Sequence, residues 1–191
     1  MTATPNNTAN VSSGKGVSGG YFFAAPMGTA APTDIETPLA DTYKNIGFVS
    51  EDGIVFSTES DSEDLVDMNG DTMDTAKGTH SETFTVTFAE VKKDAQAVLY
   101  GDDNVTDVDG VMTVHITGEE APHKVFVFEG VLKNGRRWRR VIHDAKVNEY
   151  GDLTVASSEL FGREATFAAF KGTAGDYYTD YYASTETEAS E

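Results

Sequence analysis

Apolar and polar residues alternate without a break over residues 83–89. Phe84, Val86 and Phe88 fall on one side; Thr83, Thr85, Thr87 and Ala89 fall on the other. That period of two, written in residues that suit a pleated, half-buried surface, predicts a strand with a single core-facing side. The period then lengthens. Val91, Ala95 and Val98 share one helical face, and Gly101 stands where a left-handed residue ends a helix, so one short α-helix is predicted over about 91–100. A lone helix among strands buries its apolar stripe against a sheet, which makes this strand–helix piece the expected centre of the domain.

The rest of the pattern is short strands separated by turn residues. Residues 21–25 read as a strand stopped at Pro26, and 46–50 with 54–60 as a hairpin around Glu51-Asp52-Gly53. Residues 111–117 place Met112, Val114 and Ile116 on one face. Val125 to Phe128 are apolar on both faces, which predicts a central strand over 124–132. Asn134-Gly135 is a hairpin signal that returns the chain into 138–149, and 163–170 makes a further strand before Tyr177, Tyr178, Tyr181 and Tyr182 close the fold. Residues 1–20 are polar and small, and read as a flexible N-terminal arm; 21–182 form the domain; 183–191 form an acidic disordered tail. Residues 61–77, acidic and poor in apolar side chains, read as a long loop. The expected fold is mostly β: a β-sandwich or partly rolled barrel with one short helix, a flexible arm and a long acidic loop.

Charge sharpens this picture. The 191 residues carry 14 bases against 32 acids, a formal −18, and between Asp34 and Asp74 twelve acids face only Lys44. Such a surface repels nucleic acid and anionic lipid. One stretch runs the other way: residues 131–147 hold six bases and only Asp144 as an acid. No apolar run has membrane-spanning length, and no cysteine is present, so disulfides, thiol catalysis and cysteine-ligated metals are excluded.

Candidate chemistry fails on spacing. Residues 102–110 resemble a calcium loop, but counting from Gly110 puts Val105 at the first ligand position and Ile116 at the twelfth. Gly14-Lys15-Gly16 lacks the upstream glycine and the hydroxyl residue of a phosphate loop. No nucleophile elbow or His-Glu-x-x-His occurs, and His80, His115, His123 and His143 are unclustered in sequence. No enzymatic activity, cofactor or metal site is therefore expected.

Several segments together carry a family likeness: Gly20-Tyr21-Phe22, AAPMGTAAPTD over 24–34, IGFVSEDGI over 46–54, VLYG over 98–101, VFVFEG over 125–130 and HDAKVNEYGDLT over 143–154. Over most of 16–182 the chain resembles the major tail proteins of long-tailed bacteriophages, with the likeness nearest to tail-tube subunits of phages infecting actinobacteria. The resemblance implies a homo-oligomer: six-membered rings, stacked into a tube whose lumen is a β-barrel shared by all six chains. It also implies tape measure, distal tail and terminator proteins as partners, and a place in the virion tail after assembly in the host cytoplasm. DNA would pass through without specific binding, and an acidic chain suits such a conduit because it offers phosphate few cations.

Within that reading the acids Asp61, Glu63, Asp64, Asp67 and Asp71 are expected at subunit contacts, facing Arg137 and Arg139 of a neighbour. Arg136 and Arg140, on the opposite parity, are expected at the subunit's own surface. Glu59, Asp61, Asp67 and Glu82 are the expected lumen-lining acids. The alternative is a β-sandwich binding module, a capsid decoration or adhesin protein. It accounts for the aromatic residues and acidic loops, but gives no reason for the strand–helix centre or for the AAPMGT and VSEDG segments.

Overall fold

The alternating strand is the inner end of a much longer one. In the computed structural model, which describes residue 8 and residues 11–184, it belongs to β5, Thr72–Phe88. Its partner β4, Val49–Val66, runs antiparallel beside it almost throughout. The other strands, in chain order, are β1 (Gly14–Gly16), β2 (Phe22–Pro26), β3 (Lys44–Asn45), β6 (Val105–Val108), β7 (Val111–Val114), β8 (Lys124–Leu132), β9 (Arg137–Tyr150), β10 (Arg163–Phe170) and β11 (Tyr178–Tyr182). The helix α1 spans Lys93–Tyr100.

One sheet takes nine of these strands in the order β3-β2-β8-β9-β10-β5-β4. β1 pairs with the far end of β8, and β11 with the near end of β9; β6 and β7 form a separate small hairpin. That hairpin turns on Asp109 (φ +53) and Gly110 (φ +79), the left-handed pair that a two-residue type I′ turn requires. As the double-sided apolar pattern predicts, β8 is central, with Val125, Phe126 and Val127 all buried. Phe126 faces the main core, while Val125 and Val127 pack with Ala25, Tyr43 and Val141 under the connection from 27 to 43.

The main core shows how the sheet bends. Phe22, Phe84, Phe126 and Phe167 are each at most 1% exposed. The rings of Phe84 and Phe167 stack at 4.6 Å, and Phe126 meets them edge-on at 5.5 and 5.2 Å. Phe22 on β2 lies 6.3 Å from Phe84 on β5. These two strands are four positions apart in the sheet, roughly 19 Å if it were flat, so the sheet folds its apolar face over onto itself. Ala95, Val98 and Leu99 of α1 fill the same core. The helix is fastened to the end of β9 by the Tyr150 hydroxyl, which donates to Leu99 O, and by stacking of Tyr100 on Tyr150.

The structure corrects several expectations. The fold is sandwich-like, with no sheet closed into a barrel: β3 and β4 are the two ends of the strand path and are not paired to each other. Between the two ends Val49 N–H donates to the Tyr21 hydroxyl (2.7 Å), while Ile46 N–H to Phe22 O (3.0 Å) continues the β2–β3 pairing and Ala89 N–H to Phe48 O (2.9 Å) the β4–β5 pairing. The expected hairpin at 51–53 is a bulge inside the continuous β4, where the register jumps between Val49 and Ile54 and Gly53 takes φ +75. Residues 61–77 are not a loop but the outer half of the β4–β5 hairpin. Part of the expected flexible arm, Gly14–Gly16, is β1, paired with Gly130–Leu132 of β8. The rest of that arm over 1–7, 9 and 10, and the expected tail over 185–191, lie outside the described residues. Val91, placed on the helix's apolar face by its spacing, is exposed and precedes the helix.

Truncating the stacked centre should cost far more than truncating an exposed ring. Phe84→Ala is expected to lower stability by about 3–5 kcal/mol. Phe48→Ala, at a side chain 65% exposed, should change it by less than about 0.5 kcal/mol. Urea denaturation of the two variants beside the parent measures both.

Candidate functional site

The hairpin leaves the body of the protein where the apolar alternation ends. Up to Phe56 and Phe84 its inner face packs in or against the core. Beyond Thr58 and Glu82, both strands are exposed along nearly their whole length. Thr58 Oγ1 donates to Glu82 Oε2 at 2.8 Å and His80 Nε2 lies 2.9 Å from Glu82 Oε1, so this root is pinned by polar groups. The register then shifts between Ser60 and Ser62. Gly78 sits at this irregularity; a Cβ there would come within 3.1 Å of the Asp61 backbone, which explains the glycine.

Past the bulge the strands pair to Val66↔Thr72. The tip turn is organised by Asp67. Its Oδ1 accepts the N–H groups of Asn69 and Asp71, both at 2.8 Å, and its own N–H donates to Asp71 O at 2.8 Å. The bond from Asp71 N–H, then that from Asn69, holds the Asp67 carboxyl below the usual carboxylate range.

Alternation sorts the acids of the shaft. Glu59, Asp61 and Glu63 fall on one face of β4 with Leu65, and Asp74 lies opposite Leu65 on the same face. That face carries no base. Asp64 falls on the other face, opposite Thr75, two pairs from Ser62↔Lys77. Apolar side chains cluster around the tip: Leu65, Val66 and Met73 are exposed, and Met68 is 97% exposed. A two-stranded hairpin is at best marginally stable alone in water, and this one offers unpaired strand edges, bare apolar groups and concentrated charge together. It is an element shaped for another surface.

The acids expected at subunit contacts are thus gathered on one projecting element, and the arginines expected to face them lie elsewhere. Arg139 is 3% exposed and is held inside the chain. Its Nε donates to Glu129 Oε1 at 2.8 Å, and its Nη1 to the carbonyls of Asp34 and Thr37, each at 2.7 Å. Arg139 therefore clamps the 34–37 turn to the sheet and has no guanidinium face left for a neighbour. Arg137, on the same face, is 46% exposed by side chain and meets Glu36 at 3.2 Å. Arg140 makes two bonds to Asp180, at 2.8 and 2.6 Å, and stacks 4.3 Å over Phe56. Of the expected lumen acids, Glu59 and Asp61 share the exposed acidic face, Asp67 is at the tip, and Glu82 is enclosed at the root with a side chain 12% exposed.

The sequence reading missed the Arg140–Asp180 pair and the aromatic side chains around it. The signal was the matching pair of aromatic and charged runs, 136–140 and 177–182. Beside this pair the Tyr178 hydroxyl is buried without a hydrogen-bond partner among the described residues. Burial, with Glu82 adding to it, pushes that phenol far above its ordinary range. Three histidines pair with separate carboxylates: His80 with Glu82, His123 with Asp144 and His143 with Asp176. Among the described residues no group of three or more His, Cys, Asp or Glu side chains could hold a metal ion. Nor, among them, is any helix long and apolar enough to cross a membrane.

The fold is a folded-over sheet from which a bare hairpin projects. The chain belongs to the phage tail tube protein family, whose model matches residues 4–189. The family is structural, not catalytic. No curated protein matches the chain by sequence. Among solved structures it is similar to one described as the cryo-EM structure of the anti-feeding prophage cap (AFP tube terminating cap). That likeness has a TM-score of 0.37 and 12% identity, covers 88% of this chain and 93% of that one, and is too distant to argue from.

Two predictions follow from the geometry. Arg139→Met should destabilise the fold by about 3–5 kcal/mol, because it leaves Glu129 buried without its partner. Arg137→Ala, at an exposed pair, should cost about 0–1 kcal/mol. Thermal melts of both variants read the difference. In the second, the Asn69 and Asp71 amide resonances should titrate together with the Asp67 carboxyl at a midpoint below about 3.9. A lowered folded pKa contributes order that is complete above the unfolded value and lost as pH falls through the folded one. Nuclear magnetic resonance across the acid range checks this, and Asp67→Ala should abolish the coupled titration.

Proposed function

We propose that six copies of this chain close into a ring and that rings stack into the tail tube of a long-tailed phage, a conduit for DNA. The single observation that carries this reading is the β4–β5 hairpin. From Thr58 to Val66 it extends roughly 26 Å past the last packed pair, with unpaired strand edges. Strands of this kind are stable when neighbours complete the sheet, and a closed barrel of hairpins from successive copies removes every free edge. The acidic shaft face then turns inward, with Glu59 and Asp61 lining the lumen, where carboxylates keep phosphate from adhering. Tape measure, distal tail and terminator proteins are the natural partners at the lumen and ends of such a tube, assembled in the host cytoplasm and carried in the virion.

Electron microscopy of the purified full chain tests the reading. Rings or tubes are expected; compact monomers at every concentration would favour a binding module instead. Glu59→Lys with Asp61→Lys should leave tubes intact while slowing DNA ejection, because each layer then offers new phosphate contacts. Ejection followed by dye fluorescence measures the rate, and an unchanged rate would place those acids outside the lumen.

A further inference from the structure

We propose that the basic end of the β8–β9 hairpin is the surface on which a second copy of the chain seats the acidic tip of its β4–β5 hairpin. This rests on the ring reading and names the contact within it. The basic end gathers Lys15, Lys133, Arg136 and Arg137. Lys15 lies opposite Val131, and Val131 opposite Arg137, so these three residues share one face across β1, β8 and β9. Lys133 stands in the β8–β9 turn, where its N–H donates to Ser13 O at 2.9 Å. Lys15 and Lys133 are exposed, and neither side chain has an ion-pair partner among the described residues. Among the described residues Arg136 bonds through Nε, to Ala183 O, and stacks 5.2 Å over the Tyr182 ring, and the acid paired at this end is Glu36, on Arg137.

The hairpin tip is its complement. Asp64, Asp67, Asp71 and Asp74 surround it with no base between them. Its exposed Met68 and Met73 match the apolar ground beside the basic end, where Tyr182 is 48% exposed. Within one subunit the two do not meet: no ion pair joins them, and β11 occupies the edge of β9 between Trp138 and Ile142. Their placement favours a neighbour in the same ring. β5 is antiparallel to β10 and β10 to β9, so β5 and β9 both start at the same end of the molecule. The tip beside Thr72 and the basic end beside Arg137 therefore point toward the same end of the sheet, and a ring axis running along the strands would bring one to the other. Electrostatic matching of this kind fixes register and partner more than raw affinity.

Charge reversal on the full chain tests the contact, with assembly followed by sedimentation and electron microscopy. Lys15→Glu with Lys133→Glu, and separately Asp71→Lys with Asp74→Lys, should each raise the critical concentration for assembly at least about tenfold. The four changes combined should restore it to within about threefold of the parent. All four side chains are exposed, and unchanged melting of the variants separates association from folding. Raising salt from roughly 0.05 to 0.5 M should weaken parent assembly and narrow these differences. A one-sided variant that assembles like the parent, or a combined variant that is not restored, overturns the contact while leaving the ring reading intact. A parent that never associates overturns both. If removing residues 185–191 abolishes the effect of the Lys15 and Lys133 changes, the chain's own acidic end occupies the surface, and the proposal fails.

Discussion

Everything in this fold depends on four phenylalanine rings meeting from strands that the sheet keeps far apart. Backbone pairing fixes only the order of the strands. It is the gain from burying Phe22, Phe84, Phe126 and Phe167 together that brings β2 over β5 and makes one sheet cover itself. The helix adds one buried face to that core, through Ala95, Val98 and Leu99. Because no ladder joins β3 to β4, the strand path has two ends, and β4 is one of them.

The same strand serves two regimes. Below Phe56 it rests on core, and above Thr58 it stands in water. The opposite treatment of charge across the molecule follows that division. On the body, strong charges are matched inside the chain: Arg139 with Glu129, Arg140 with Asp180, and Lys124 with Asp102 at 2.6 Å. Arg140–Asp180 ties β11 to the sheet and Lys124–Asp102 ties the 102–104 turn to it, while Arg139–Glu129 joins β9 to β8. On the hairpin beyond Glu82 no carboxylate has an ion-pair partner among the described residues.

Where a buried face exists, the sequence announces it. The alternation at Phe84, Val86 and Phe88, the double-sided run at Val125 to Phe128, and the strand over 163–170 all describe real burial, and their positions read correctly. The outer hairpin gave no such sign, since neither of its faces is buried and a period of two has nothing to record there. Its Ser, Thr, Asp and Glu residues spell a loop by composition, yet cross-strand pairing and the Asp67 turn make them strands. The arginines misled for a related reason. Strand parity correctly grouped Arg137 with Arg139, but it cannot say that the 27–43 connection covers that face. Charge counted along the chain looked free, yet Arg137, Arg139 and Arg140 are matched by Glu36, Glu129 and Asp180 of the same chain.

The acids on the free edge of β4 also bear on symmetry. Two identical edges can pair antiparallel about a two-fold axis, and such a dimer is a closed object with no growing end. Were two copies to meet that way centred on Asp61, Asp61 would face Asp61 and Glu59 would face Glu63, and like charges set opposite one another in a sheet destabilise it. Self-complementary pairing is thereby disfavoured, while contact with an unlike surface is not. The charge pattern on one strand thus weighs against the dead-end dimer in that register and leaves open the head-to-tail contacts from which rings and fibres are made.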